Sequence, residues 1–239
     1  MRKTWAMFTR RGIENMPLKS TDNQAGFTLV EMIGVLAVIA ILVALVLPKV
    51  FEVIASSNAQ ALASAVRTYE AAVVNYYADI GSLLPLDANG VPKKEGSGNS
   101  ATATSLPARL TLDASDSLNT GEGQWPKFRG PYLEKFDSTK PPGLGTAMYM
   151  PATSPVAYGT AVTASNLGWD LKGDDGKSDI PSNAYVVYLR VDGLTQEEFL
   201  RLDAILDKGV GTTTDTKVLR GRAKYDANNS RAYIYLAHG

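Results

Sequence analysis

The chain has 239 residues, with 24 basic and 24 acidic side chains and no net charge, a length that suits one membrane segment plus one domain of ordinary size. It has no cysteine and a single histidine, His238, beside the C-terminus, so disulfides are excluded and Cys–His or Ser–His–Asp catalysis and multi-ligand zinc sites nearly so. P-loop, G-x-S-x-G and G-x-G-x-x-G stretches are missing too, and by subtraction the chain is not expected to be an enzyme.

The zero total hides an asymmetry. Residues 1–26 carry Arg2, Lys3, Arg10, Arg11 and Lys19 against Glu14 and Asp22, a net +3, while the remainder holds 19 basic and 22 acidic residues. A basic leader ahead of an apolar run is the positive-inside arrangement, so residues 1–26 are expected in the cytoplasm and the rest across the membrane. The remainder shows no basic patch, and no nucleic-acid partner is expected. Residues 27–47 are all apolar or small except Thr28 and Glu31. As a helix this run spans ~31 Å at ~1.5 Å per residue, close to the hydrocarbon thickness of a bilayer. A secretory signal has a shorter apolar core with a cleavage site behind it. Here the hydrophilic leader ends at Ala25-Gly26, and no convincing site follows Leu47. Any cut would therefore precede the run and leave it on the mature chain. Glu31 is the anomaly, because a carboxylate in hydrocarbon is costly and intramembrane charges are usually functional. The plainer alternative is a signal-anchor helix whose first turn lies among the headgroups.

The stretch "GFTLVEM", residues 26–32, resembles the class III signal of type IV pilins and type II secretion pseudopilins. The resemblance covers roughly residues 20–85. It implies cleavage between Gly26 and Phe27 by prepilin peptidase, N-methylation of Phe27, and a part in subunit assembly for Glu31, Thr28 and Pro48. Pro48 matches the family's proline at the end of the span. The implied partners are other copies in a helical filament, an inner-membrane assembly platform, and minor pilins or pseudopilins. The implied location is the bacterial inner membrane, single-pass with the head periplasmic or extracellular, and then the filament. Elementary electrostatics adds a reason for Glu31. Cleavage would create an α-amino group four residues away, and an ammonium from one subunit would neutralise Glu31 of its neighbour. Unpaired burial would be penalised heavily, so pairing would fix the axial register.

Pro48 is expected to kink or locally break the helix. Beyond it Val50, Phe51, Ile54, Leu62, Val66, Tyr69, Val73, Tyr76, Tyr77 and Ile80 recur at spacings of three and four, with Asn58, Ala61 and Ala65 filling the stripe. That pattern predicts an amphipathic continuation over 48–81, closed by Gly81 and Pro85. One long helix from about Phe27 to Ile80 results.

Residues 82–239 read as a globular head. Residues 87–105 have the composition of an exposed loop, and 106–183 of loops with short strands. Within the latter, "GPYL" at 130–133 resembles a stretch of major pseudopilins, without the family's Asp-Pro-Trp-Gly continuation. A strand is predicted over 184–191 and a helix from a Thr195/Glu198 capping box to Gly209. Two strands are predicted over 217–226 and 231–237, joined by a turn at 227–230. The fold class is α+β: a long N-terminal helix carrying a small antiparallel sheet, pilin-like by the resemblance. Asp170, Asp174, Asp175 and Asp179 crowd one glycine-containing stretch. Hard cations use several carboxylates on a flexible loop, but the spacing is not that of an EF-hand. The resemblance to major pseudopilins implies calcium there, and a solvated acidic turn is the other reading. Taken together, a structural subunit of a type IV pilus-like filament is expected, most like a type II secretion pseudopilin. A type IV pilin is the alternative within the family. A membrane-anchored periplasmic binding or enzymatic domain is the alternative outside it.

Overall fold

The computed structural model describes residues 26–94, 98, 104–153, 157–164, 166–207 and 219–239. The leader at 1–25, residues 95–97 and 99–103 of the expected loop, Gly209 and the first two positions of the 217–226 strand lie outside the described residues. The chain separates into two units, 1–48 and 49–239.

Helix α1 runs over Leu29–Ile80, 52 residues, with Pro48 inside it. Of the kink or local break expected at Pro48, the break is absent, since α1 is continuous through the proline. A proline deletes one backbone hydrogen bond, and the helical turns on both sides continue past that loss. The Gly81 amide bonds the Tyr77 carbonyl at 2.7 Å and closes the last turn.

The buried stripe of α1 is Ala59, Leu62, Ala63, Val66, Tyr69, Ala72, Val73, Tyr76 and Ile80. Val50, Phe51, Ile54, Ala61 and Tyr77, expected on that stripe, are exposed. Periodicity identifies an apolar face. It does not say where along the axis the head begins to cover it, and that point is Ala59. Leu62 is fully buried. Leu62→Ala should destabilise the head by about 3 kcal/mol through lost burial and a residual cavity, read from denaturant unfolding of the detergent-solubilised protein.

Strands β1 (Ala147–Tyr149), β2 (Ala152–Thr153), β3 (Val186–Asp192), β4 (Ala223–Asp226) and β5 (Arg231–His238) form an antiparallel sheet. The order is β1-β3-β5-β4, with β2 also on β3. Successive strand residues face opposite sides. Val187, Leu189 and Val191 with Ala232, Ile234 and Leu236 join the α1 stripe in the main core. Val186 and Tyr188 face the other way, onto Trp169 and Ile180, with Tyr233 and Tyr235 against them. Helix α3, Gln196–Leu206, has the expected capping box at Thr195 and Glu198. The layout is α+β and pilin-like.

Two elements differ from expectation. Strand β4 begins at Ala223 because the chain leaves the ladder at Gly221, whose amide bonds the Asp170 carbonyl at 2.7 Å. A short helix, α2 (Leu106–Leu110), lies in the stretch expected to hold loops and strands, with the Ser105 hydroxyl accepting from the Ala108 amide. Serine followed by an early proline is a helix-start signal, and it was legible there. The "GPYL" stretch has a packing role: a Cβ on Gly130 would lie 2.5 Å from the Leu112 carbonyl oxygen. The amides of Tyr132 and Leu133 both bond the Leu110 carbonyl, at 2.8 and 2.9 Å.

Candidate functional site

Residues 26–28 precede α1 without helical structure. A Cβ on Gly26 would meet nothing within 4 Å, and Phe27 is 80% exposed. Among the described residues nothing packs on the Gly26–Phe27 peptide. The first helical bond runs from the Met32 amide to the Thr28 carbonyl at 3.2 Å. Glu31 turns back onto the same residue. Its Oε2 accepts from the Thr28 amide at 2.8 Å and the Thr28 hydroxyl at 2.9 Å, while the Glu31 amide donates to Thr28 Oγ1 at 3.3 Å. This is a capping box, with the same pairing as Thr195 and Glu198. It satisfies amides that have no intrahelical partner and sets a negative charge at the positive end of the helix dipole. In the single subunit Glu31 is thus held by its own helix terminus. The T-x-x-E spacing at 28–31 is as readable as the one at 195–198.

Every residue from 26 to 54 is exposed. Helix α1 is long and apolar enough to cross a membrane, with an 18-residue window of mean hydropathy 3.0. An exposed Gly–Phe peptide therefore stands directly before a capped, uncovered apolar helix with one carboxylate in its first turn. Residues 21–47 match the family described as a prokaryotic N-terminal methylation motif. The chain carries a prepilin-type signal. Such a signal marks type IV pilins and pseudopilins, and it implies processing by prepilin peptidase and assembly into a filament. The prepilin-type signal holds Gly26, Phe27, Thr28 and Glu31 and ends one residue before Pro48. Together with the apolar helix it fits a subunit anchored in the inner membrane. Comparison with curated proteins and with solved structures gave no match.

The acidic stretch lies in the head. Asp170, Asp174 and Asp175 offer carboxylate oxygens within 4.8 Å of one another, and Asp179 is not in that group. Asp179 bonds Lys172 instead, through the backbone amide and the ammonium, both at 3.0 Å. Burial pushes its pKa up, but the Lys172 contacts outweigh that and hold it below the usual carboxylate range. Asp170 is fully buried. Its Oδ1 accepts from the amides of Gly173 and Asp174, at 2.7 and 3.1 Å, and its Oδ2 from that of Gly176 at 2.7 Å. Arg220 Nε lies 3.8 Å from Oδ2, an ion-pair contact beyond hydrogen-bond length. Arg220 Nη1 also bonds the Gly173 carbonyl at 3.0 Å. Calcium needs six to eight oxygens about 2.3–2.6 Å away. The most buried carboxylate and a backbone carbonyl of this loop are already committed to protein donors, so the residues as arranged do not fit that ion.

A second charged side chain escaped sequence reading. Lys224, on β4, is fully buried, and among the described residues it makes no ion pair with a carboxylate. Its ammonium donates to the carbonyls of Thr163 at 3.3 Å, Gly168 at 2.8 Å, and Asn166. It also lies 4.4 Å from the centre of the Trp169 ring. Burial pushes its pKa down to about 7. A lone lysine in a strand pattern announces no such cage, because the three carbonyls come from the chain 56 to 61 residues away.

Proposed function

We propose that this chain is a structural subunit of a type IV pilus-like filament, most like a type II secretion pseudopilin, with a structural rather than a catalytic role. The observation that carries the reading is the prepilin-type signal on an uncovered apolar helix, with an exposed Gly26–Phe27 peptide at its head. On this reading prepilin peptidase cuts after Gly26 and Phe27 becomes the methylated N-terminus. Residues 27–47 hold the subunit in the inner membrane and then pack into the filament core, where the Phe27 ammonium of one subunit meets Glu31 of the next. The pseudopilin assignment leans on the resemblance of "GPYL" and on the cysteine-free C-terminal region. The acidic loop lends it no support, since the buried carboxylate, Asp170, is engaged by protein donors.

Mass spectrometry of the protein purified from membranes tests the reading. The expected N-terminus is a singly methylated Phe27, with residues 1–26 gone. An intact leader would instead support a tethered periplasmic domain that uses the helix only as an anchor.

A further inference from the structure

We propose that Arg220 is a tethered cation that closes the Asp170 loop in place of calcium, so that the head holds this loop without a divalent ion. The two residues are brought together twice. Their backbones form a parallel bridge, and the Gly221 amide bonds the Asp170 carbonyl at 2.7 Å. Their side chains meet at 3.8 Å, and the guanidinium reaches on to the Gly173 carbonyl. Gly173 and Gly176, at φ +71° and +73°, turn the loop so that three amides converge on Asp170, a conformation side-chain-bearing residues rarely adopt. A Cβ on Gly176 would sit 3.8 Å from Arg220 Nη2, so the guanidinium lies over this turn.

The charges of the loop are paired internally. Asp170 has Arg220, Asp179 has Lys172 at 3.0 Å, and Asp175 has Lys177 at 3.9 Å, leaving Asp174 in solvent. An arginine suits the buried position, because it remains charged and offers several donors in one plane to a carboxylate and a carbonyl together. The inference concerns the head alone and stands whether or not the filament assignment does.

The test is thermal unfolding of the full-length protein in detergent, with millimolar calcium or with a chelator. The wild-type Tm is expected to be the same in both. Arg220→Gln should lower Tm by several degrees and leave Asp170 without its cation, and calcium should then recover part of the loss. Arg220→Lys keeps the charge and should stay insensitive to calcium, which gives a folded reference if the glutamine variant does not fold. Three results would overturn the proposal: a wild-type Tm that drops in chelator, an Arg220→Gln protein that melts like the wild type, or a loss that calcium does nothing to recover.

Discussion

Glu31→Leu is expected to abolish filament formation while leaving the subunit in the membrane. Insertion should survive because the substitution removes the one carboxylate from an otherwise apolar span, which makes the helix easier to place in hydrocarbon. The helix should survive too. Its 52 residues are far longer than the first turn, and only the two bonds that the Glu31 carboxylate accepts from Thr28 are lost, while the residue-31 amide still donates to the Thr28 hydroxyl. Assembly is different. When apolar helices pack around one another, the new α-amino group at Phe27 is buried with no counter-charge, and an uncompensated buried charge opposes packing. Electron micrographs of sheared filaments, beside membrane fractionation of the same cells, read both halves. Normal filaments from Glu31→Leu would sink the assembly role.

The capping box makes a second variant informative. Glu31→Gln retains an oxygen able to accept from the Thr28 amide and hydroxyl but carries no charge. If residue 31 served only to cap its own helix, glutamine would restore filaments. If it neutralises a neighbour's ammonium, glutamine should fail almost as completely as leucine. Thr28→Val, which deletes only the hydroxyl, should have the mildest effect of the three.

Lys224→Met is expected to cost the head about 3 kcal/mol. Three carbonyls now share one ammonium, and methionine, of similar length, would leave them without a donor inside the protein. The loss is tempered because a buried charge disappears with the side chain. Denaturant unfolding by circular dichroism gives the difference. Its pH dependence has a definite sign. The folded-state pKa, about 7, lies below the ordinary value of 10.5. Between those values the unfolded chain binds a proton that the folded chain does not, so this group's contribution to stability rises with pH across the window. The wild type should therefore gain on Lys224→Met from pH 7 towards pH 10. A gap that shrinks with rising pH would contradict a depressed pKa at this lysine.

What was legible in the sequence was local. Both capping boxes span four residues and the α1 stripe repeats every three or four, while β3 and β5 alternate every second residue. These periods are imposed by backbone geometry within one element, and composition reports them directly. The prepilin-type signal is of the same kind: a charge step, a glycine, an apolar run of fixed length and one acid, all within about thirty residues. The T-x-x-E spacing at Thr28 and Glu31 is local in the same way, although it lies inside an otherwise apolar run.

By itself, then, the sequence determined the apolar helix, its processing-type entrance and the α+β character of the head. Only the tertiary structure decided where on α1 burial begins, which carboxylate of the acidic stretch lies inside, and what accompanies it there. Ala59 is covered and Ile54 is not because the head starts to overlie the helix between them. Asp170 meets Arg220, and Lys224 meets the 163–168 carbonyls, through the way the chain on either side of Gly221 docks against a loop some 50 residues earlier. Such pairings depend on long-range chain closure, whose partners no local period encodes.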